Sequence, residues 1–426
     1  MAEGIFSQYE RDELNKITAK SILEKLMNIR QNINVDFTAR RLVWELMQNA
    51  KDNASLCNED PELVDIKIMI GVSEFVFSHD KGYFTNEQIR GLIRKYSSSD
   101  KERDPEQAGE IPKATGRFGT GFMTTHLLSE KVQIESYYKN GDSTFCKFSY
   151  WLDRSGRGEK EIIQGISKAF EDAEESIKRS PEELVNTDQF ITSFTYPLTE
   201  NKFKLAEIAI KEVKSGIAYT LINVPELNSV TIEEELIDET VYEIELTDTI
   251  TYKGDKFSVF TLKINGKKTE QCFIAVEDEG VRIIVPVSQK KGEYFALELN
   301  SAIPRLHLDF PMIGTEDLNL PFVVNCPLFE PTEPRDGISL TDDDNIVSQT
   351  NCDIMLNAVS LYKKFLSFVG ENMEWNNLYN LARIKQPKKH TWIDPDWFKI
   401  NIVTPIQEKL LHTPLVDVVS GGRISI

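Results

Sequence analysis

Apolar residues recur every three to four positions over residues 6–31. There Ile17, Ile22, Leu23, Leu26 and Ile29 predict an amphipathic helix or helix pair. A second helical stretch, RLVWELMQNAKDN at residues 41–53, draws its apolar surface from Leu42, Val43, Leu46, Met47 and Ala50. After a break at residues 58–61 the period changes. VDIKIMIGV and EFVFSHD alternate or run apolar as strands do, and the second ends in Asp80, Lys81 and Gly82. A short helix is predicted over residues 86–96, and the polar, charged stretch SSSDKERDPEQAGEIPKAT fills residues 97–115. A loop of that length is functional or disordered. It leads into GRFGTGF at residues 116–122 and a helical MTTHLLSE, after which VQIESYY and TFCKFSYW resume the strand pattern.

Residues 156–186 are charge-rich and predicted loosely helical, FITSFTYPL is a strand, and residues 204–221 a helix. From 230 to about 286 short alternating strands are punctuated by turns at Lys253, Gly254 and Asp255 and at Asn265, Gly266 and Lys267. That β-rich texture marks a second domain. Residues 310–340 are irregular and proline-rich, and helical spacing returns over residues 346–368.

Composition narrows the function. Lys plus Arg number 49 against 68 Asp plus Glu, a net charge of −19. That balance works against general affinity for nucleic acid or anionic membranes. Cys57, Cys146, Cys272, Cys326 and Cys352 are scattered without a CxxC pair, as reduced thiols in a cytosolic protein are. The first residues carry no basic-then-apolar signal, and no apolar run approaches the ~20 residues needed to span a bilayer. A soluble, cytoplasmic protein without a membrane segment is expected.

The candidate chemistry begins with Glu45, Asn49 and Asp52, spaced i, i+4 and i+7 along one edge of the second helix. Such a stripe is commonly a wetted face. It also suits a general base beside a phosphate, with an amide oxygen one turn away for Mg²⁺. Asp80 is either a surface turn acid or an acceptor for a base's amino group at a strand end, with Gly82 allowing close approach. GRFGTG occurs in many turns. Placed before a helix, its glycines allow backbone N–H groups to meet a polyphosphate. It is neither a Walker P-loop nor a dinucleotide fingerprint.

The order ExxxNxxD on a helix, DxG after a strand, a long polar loop, then GxxGxG opening a helix resembles the GHKL ATPases. Gyrase, the large heat-shock chaperone, histidine kinases and MutL belong to that family. The likeness is greatest to the chaperone branch, on GRFGTGFMTTHLLSEKV, and covers roughly residues 20–200. It implies an α+β fold, a two-layer GHKL (Bergerat) sandwich over residues 1–225 with a lid at 97–115. A smaller transducer-like domain would follow at 226–342, then a helical extension at 343–426. It also implies ATP and Mg²⁺. Glu45 would activate water, Asn49 would hold Mg²⁺, Asp52 would support the pocket and Asp80 would read adenine. The cradle would take in Gly116, Arg117, Phe118, Gly119, Thr120, Gly121 and Phe122, with Asn53, Gly82, Phe84, Ser97, Ser98 and Thr192 around the nucleotide. One departure is Phe84, which stands where the family often has a second glycine.

In the second half, PFVVNCPLFEPTEPRDGISL resembles a segment of sacsin-like proteins. It makes Arg335 a candidate γ-phosphate contact, or else a loop residue paired with Asp336 or Glu333. Lys290 and Lys291 are expected in a solvated turn. The apolar run that ends the chain suggests truncation, or a last strand that pairs with a partner. The expected function is an ATPase acting as a nucleotide-driven switch on a protein partner or client, chaperone-like or in a defence assembly, with an ATP-dependent homodimer possible. The alternative is a non-catalytic nucleotide-sensing scaffold. A histidine kinase is disfavoured, since His79 is the first histidine and sits beside Asp80. The net charge disfavours a MutL-type DNA clamp.

Overall fold

The computed structural model describes residues 8–31, 34–57, 63–94, 121–140, 144–183, 191–235, 237–332, 335–343, 345–372, 375–419 and 421–425. Two units divide the chain, one made of residues 1–214 and 226–240, the other of residues 215–225 and 241–426. Both mix helices with sheet. The sequence-based boundaries at 225 and 342 differ from this division. The segment after 342 shares one core with residues 257–340, because α7 (Ile346–Gly370) inserts Tyr362, Phe365 and Phe368 among Phe257, Phe322 and Trp375.

The first unit starts with α1 (Gln8–Arg30) and α2 (Val35–Cys57), followed by β1 (Val64–Ile70), β2 (Glu74–His79) and α3 (Asn86–Arg94). Next come α4 (Gly121–Thr124), β3 (Lys131–Lys139), β4 (Phe145–Asp153), α5 (Glu159–Arg179), β5 (Glu182–Glu183) and β6 (Thr192–Pro197). α6 (Glu200–Asn223) leads to β7 (Leu227–Glu234). The strand order is β7-β1-β2-β6-β3-β4-β5. β7 and β1 run parallel and the other neighbours antiparallel. Alternation sets the burial, since Val64, Ile66, Ile68 and Ile70 all lie inside while the residues between them are half-exposed. α2 packs on β1 and α5 on β4.

Two helical expectations changed in extent. The charge-rich stretch is a regular 21-residue helix, α5, which buries Ile162, Ile166, Ala169 and Ala173 at helical spacing. MTTHLLSE is no full helix: α4 is four residues long and gives way to a 3₁₀ turn at Thr125–Leu127. Thr124 and Thr125 donate their hydroxyls to the Gly121 and Phe122 carbonyls, 2.6 and 2.7 Å away, which competes with regular helix bonding.

The second unit is built on β8 (Ile237–Tyr252), β9 (Asp255–Ile264), β10 (Lys267–Asp278) and β11 (Val281–Lys290), an antiparallel meander where they pair. Its tight turns carry positive φ at two successive positions, Lys253 and Gly254, Asn265 and Gly266, Glu279 and Gly280. This is the geometry of two-residue hairpin loops. Lys291 sits in a turn, as the sequence predicts, whereas Lys290 is the last residue of β11, beside Glu270 at 3.0 Å. Cys146, Cys272, Cys326 and Cys352 are buried free thiols. Among the described residues no helix is long and apolar enough to cross a membrane.

Candidate functional site

α2 is the element on which the site is built. Its buried residues Leu42, Val43, Leu46, Met47, Ala50 and Ala54 anchor it, which fixes the opposite positions. Glu45 is half-buried. Its Oε1 accepts a hydrogen bond from Arg41 Nη2 at 3.2 Å, one helical turn away. Its other oxygen lies against Gly121, the last glycine of the GRFGTG run. A Cβ added at Gly121 would overlap Glu45 Oε2 and stand 2.8 Å from Cδ. A side chain at this position would push the Glu45 carboxylate aside. Asn49 is exposed one turn further on, and Asp52 is nearly buried with Lys51 Nζ 4.0 Å from its Oδ1. The three polar residues share a stripe but differ in depth.

Asn53 ties α2 to the turn after β2. Its Nδ2 donates to the Tyr83 carbonyl at 3.1 Å, and its Oδ1 is buried without a hydrogen-bond partner. That oxygen rests on Gly82, which adopts φ +88°, and a Cβ there would stand 2.8 Å from Asn53 Cγ. Gly82 is therefore required twice, by its backbone and by its neighbour.

Asp80 follows the last residue of β2 directly. Its Oδ1 accepts the Asp65 backbone N–H at 2.8 Å, and Lys81 Nζ stands 3.3 Å from Oδ2. Burial pushes its carboxyl above the ordinary carboxylate range, against the pull of the Asp65 N–H and Lys81. Phe84 is buried, bridges to Tyr138 and packs edge-on to Phe148 at 5.8 Å. Its ring is thus part of the unit's core.

Phe122 packs against Phe194 of β6 and His126. Thr192 pairs with His79 across β6 and β2, next to Asp80, and its hydroxyl meets Ser136 Oγ at 2.7 Å. The structure so brings together Glu45 with Gly121, Asn53 with Gly82, and Thr192 with the strand that carries Asp80. Ser97, Ser98, Gly116, Arg117, Phe118, Gly119 and Thr120 lie outside the described residues, as does the stretch expected to form the lid. Arg335 belongs to the second unit. It has φ +62°, in a loop where Thr332 Oγ1 donates to Asp336 Oδ1 at 2.8 Å.

No protein-family model matches this chain, and no curated protein shows significant similarity to it.

Two charged residues here have no place in the sequence motif. Arg41 is legible from its spacing, four residues before Glu45. Lys81 is legible only as the neighbour of Asp80, and its orientation is set by the tertiary fold. Near Gly121, His126 is buried and stays neutral, its pKa pushed down to about 3, chiefly by burial and then by Arg154. Arg154 is itself buried and donates to the Ile93 carbonyl, while its Nε and Nη1 have no partner. His79 is likewise held neutral by burial, at about 4, with Nδ1 2.6 Å from the Lys81 carbonyl.

Among the described residues no group of three or more His, Cys, Asp and Glu side chains is placed to hold a metal ion. An ion here would rest on the exposed Asn49 and on oxygens brought by a ligand. That donor set fits Mg²⁺, which keeps waters and takes one or two protein oxygens beside phosphates.

Proposed function

We propose that this protein is an ATP-binding and slowly hydrolysing ATPase of the GHKL type. Residues 1–214 and 226–240 would form the nucleotide-binding sandwich, and residues 215–225 and 241–426 a transducer-like unit. Binding and hydrolysis would drive a conformational switch read by a protein partner or client, in a chaperone-like or defence setting. The observation that carries this reading is the Glu45 carboxylate lying against Gly121. A base and the start of a helix with a glycine-rich approach are thereby neighbours in space, although 76 positions separate them in the chain.

In this reading Glu45 Oε2 orients water and takes its proton as oxygen bonds to the γ-phosphorus. The bond between that phosphorus and the β–γ bridging oxygen breaks, releasing ADP and phosphate. Asn49 would hold Mg²⁺, which would supply charge neutralisation to the phosphates. Asp80 accepts a hydrogen bond from the adenine amino group. Glu45→Gln is expected to lower the steady-state phosphate release rate by about a hundredfold or more while leaving nucleotide affinity within severalfold. Equal turnover in wild type and variant would remove Glu45 from the role of base.

The Arg41 contact supports a second reading, a nucleotide-sensing module without appreciable turnover. One of the two Glu45 oxygens is thereby engaged by a guanidinium rather than open to water. Nucleotide binding by calorimetry with no phosphate release would favour that module.

A further inference from the structure

The two oxygens of Asp80 have different neighbours. Oδ1 is fixed by the Asp65 N–H at 2.8 Å, while Oδ2 faces the Lys81 ammonium at 3.3 Å. The pair is shielded, with side chains only 11% and 17% exposed, so solvent screens it less than a surface ion pair. Lys81 is also restrained from behind, since its carbonyl meets His79 Nδ1 at 2.6 Å. The one oxygen of Asp80 left to face a ligand is thus already beside a cationic donor from the same chain.

We propose that Lys81 is an affinity- and specificity-determining residue of the nucleotide site. Its ammonium occupies the place on Asp80 Oδ2 that the exocyclic amino group of a bound purine would take. The inference rests on the reading of Asp80 as the base acceptor. A ligand amino group must displace a charged donor with a neutral one, which weakens binding. A 6-oxopurine brings an acceptor oxygen to the same place, where Asp80 repels it and Lys81 can donate to it. Lys81 therefore loosens binding of aminopurines and softens rejection of oxopurines.

The test is calorimetric binding of ADP, IDP and inorganic triphosphate, each with Mg²⁺, to wild type, Lys81→Met, Lys81→Arg and Asp80→Asn. It is run at pH 8 so that the Asp80 carboxyl stays ionised. Lys81→Met is expected to tighten ADP roughly three- to tenfold and to raise the ADP-to-IDP preference. Triphosphate binding should stay unchanged and Lys81→Arg should behave as wild type. A thermal melt of each variant reports folding separately. Unchanged or weaker ADP binding in Lys81→Met, or a parallel change in triphosphate binding, overturns the inference while the ATPase reading stands. Equal ADP binding by wild type and Asp80→Asn, or none by either, overturns that reading and the inference with it.

Discussion

At the scale of single residues, the contact between Asn53 and Gly82 is the most specific feature of the site. Gly82→Ala would place a methyl group on the Asn53 carboxamide and force a left-handed φ on alanine. A loss of about 2–4 kcal/mol in unfolding free energy is expected, from overpacking and backbone strain together. Asn53→Ala removes the obstructing group and the hydrogen bond to Tyr83, at about 1 kcal/mol. The double variant should therefore lose less than the sum of the two, by at least about 1 kcal/mol in denaturant unfolding. Strict additivity would mean the two side chains do not meet. The glycine of DKG was legible as a turn residue. That its partner would be Asn53 was not, because the contact joins a helix and a turn separated by a strand pair.

At the scale of elements, periodicity and capping explain why most helices and strands appear where apolar spacing predicts. α7 starts where Asn345 accepts the Val347 N–H at 3.0 Å, an N-cap bond that satisfies an otherwise orphan donor. Asn345→Ala is expected to cost about 1 kcal/mol in thermal or chemical unfolding, and Asn345→Asp to cost little. An equal loss in both would point to a cause other than the cap. Among the elements, α4 was over-read, because apolar pattern alone does not register the threonine hydroxyls that divert its backbone. α5 was under-read. Its abundant charges masked four buried residues at helical spacing, which is all a helix on a sheet needs.

At the scale of the whole molecule, three buried histidines set the response to acid. Burial holds His79 at about 4, and His126 and His307 at about 3, each below the ordinary 6.5. These side chains are neutral in the fold, whereas the unfolded chain takes up protons as soon as pH falls below about 6.5. Their contribution is full above that pH and is lost as pH drops toward the folded values. Melting temperature should fall steadily between pH 6.5 and 4. Asp80, whose pKa is raised, works in the opposite direction and offsets only part of the slope. His126→Gln should flatten the profile, and a profile flat in wild type would mean that the histidines protonate freely in the fold.

The sequence by itself determined the order of helices and strands, the hairpin turns of the second unit and the residue types of the candidate site. These are local properties, set by spacing, turn chemistry and side-chain character within a few residues. Only the tertiary structure decided that Glu45 meets Gly121, that Asn53 locks Gly82, that Phe84 belongs to the core and that Lys81 stands on Asp80. It also decided that α7 and the residues after it share a core with the second-unit strands. Contacts of this kind depend on which buried faces meet when distant segments pack, and many pairings satisfy the same apolar pattern until shape and burial select one.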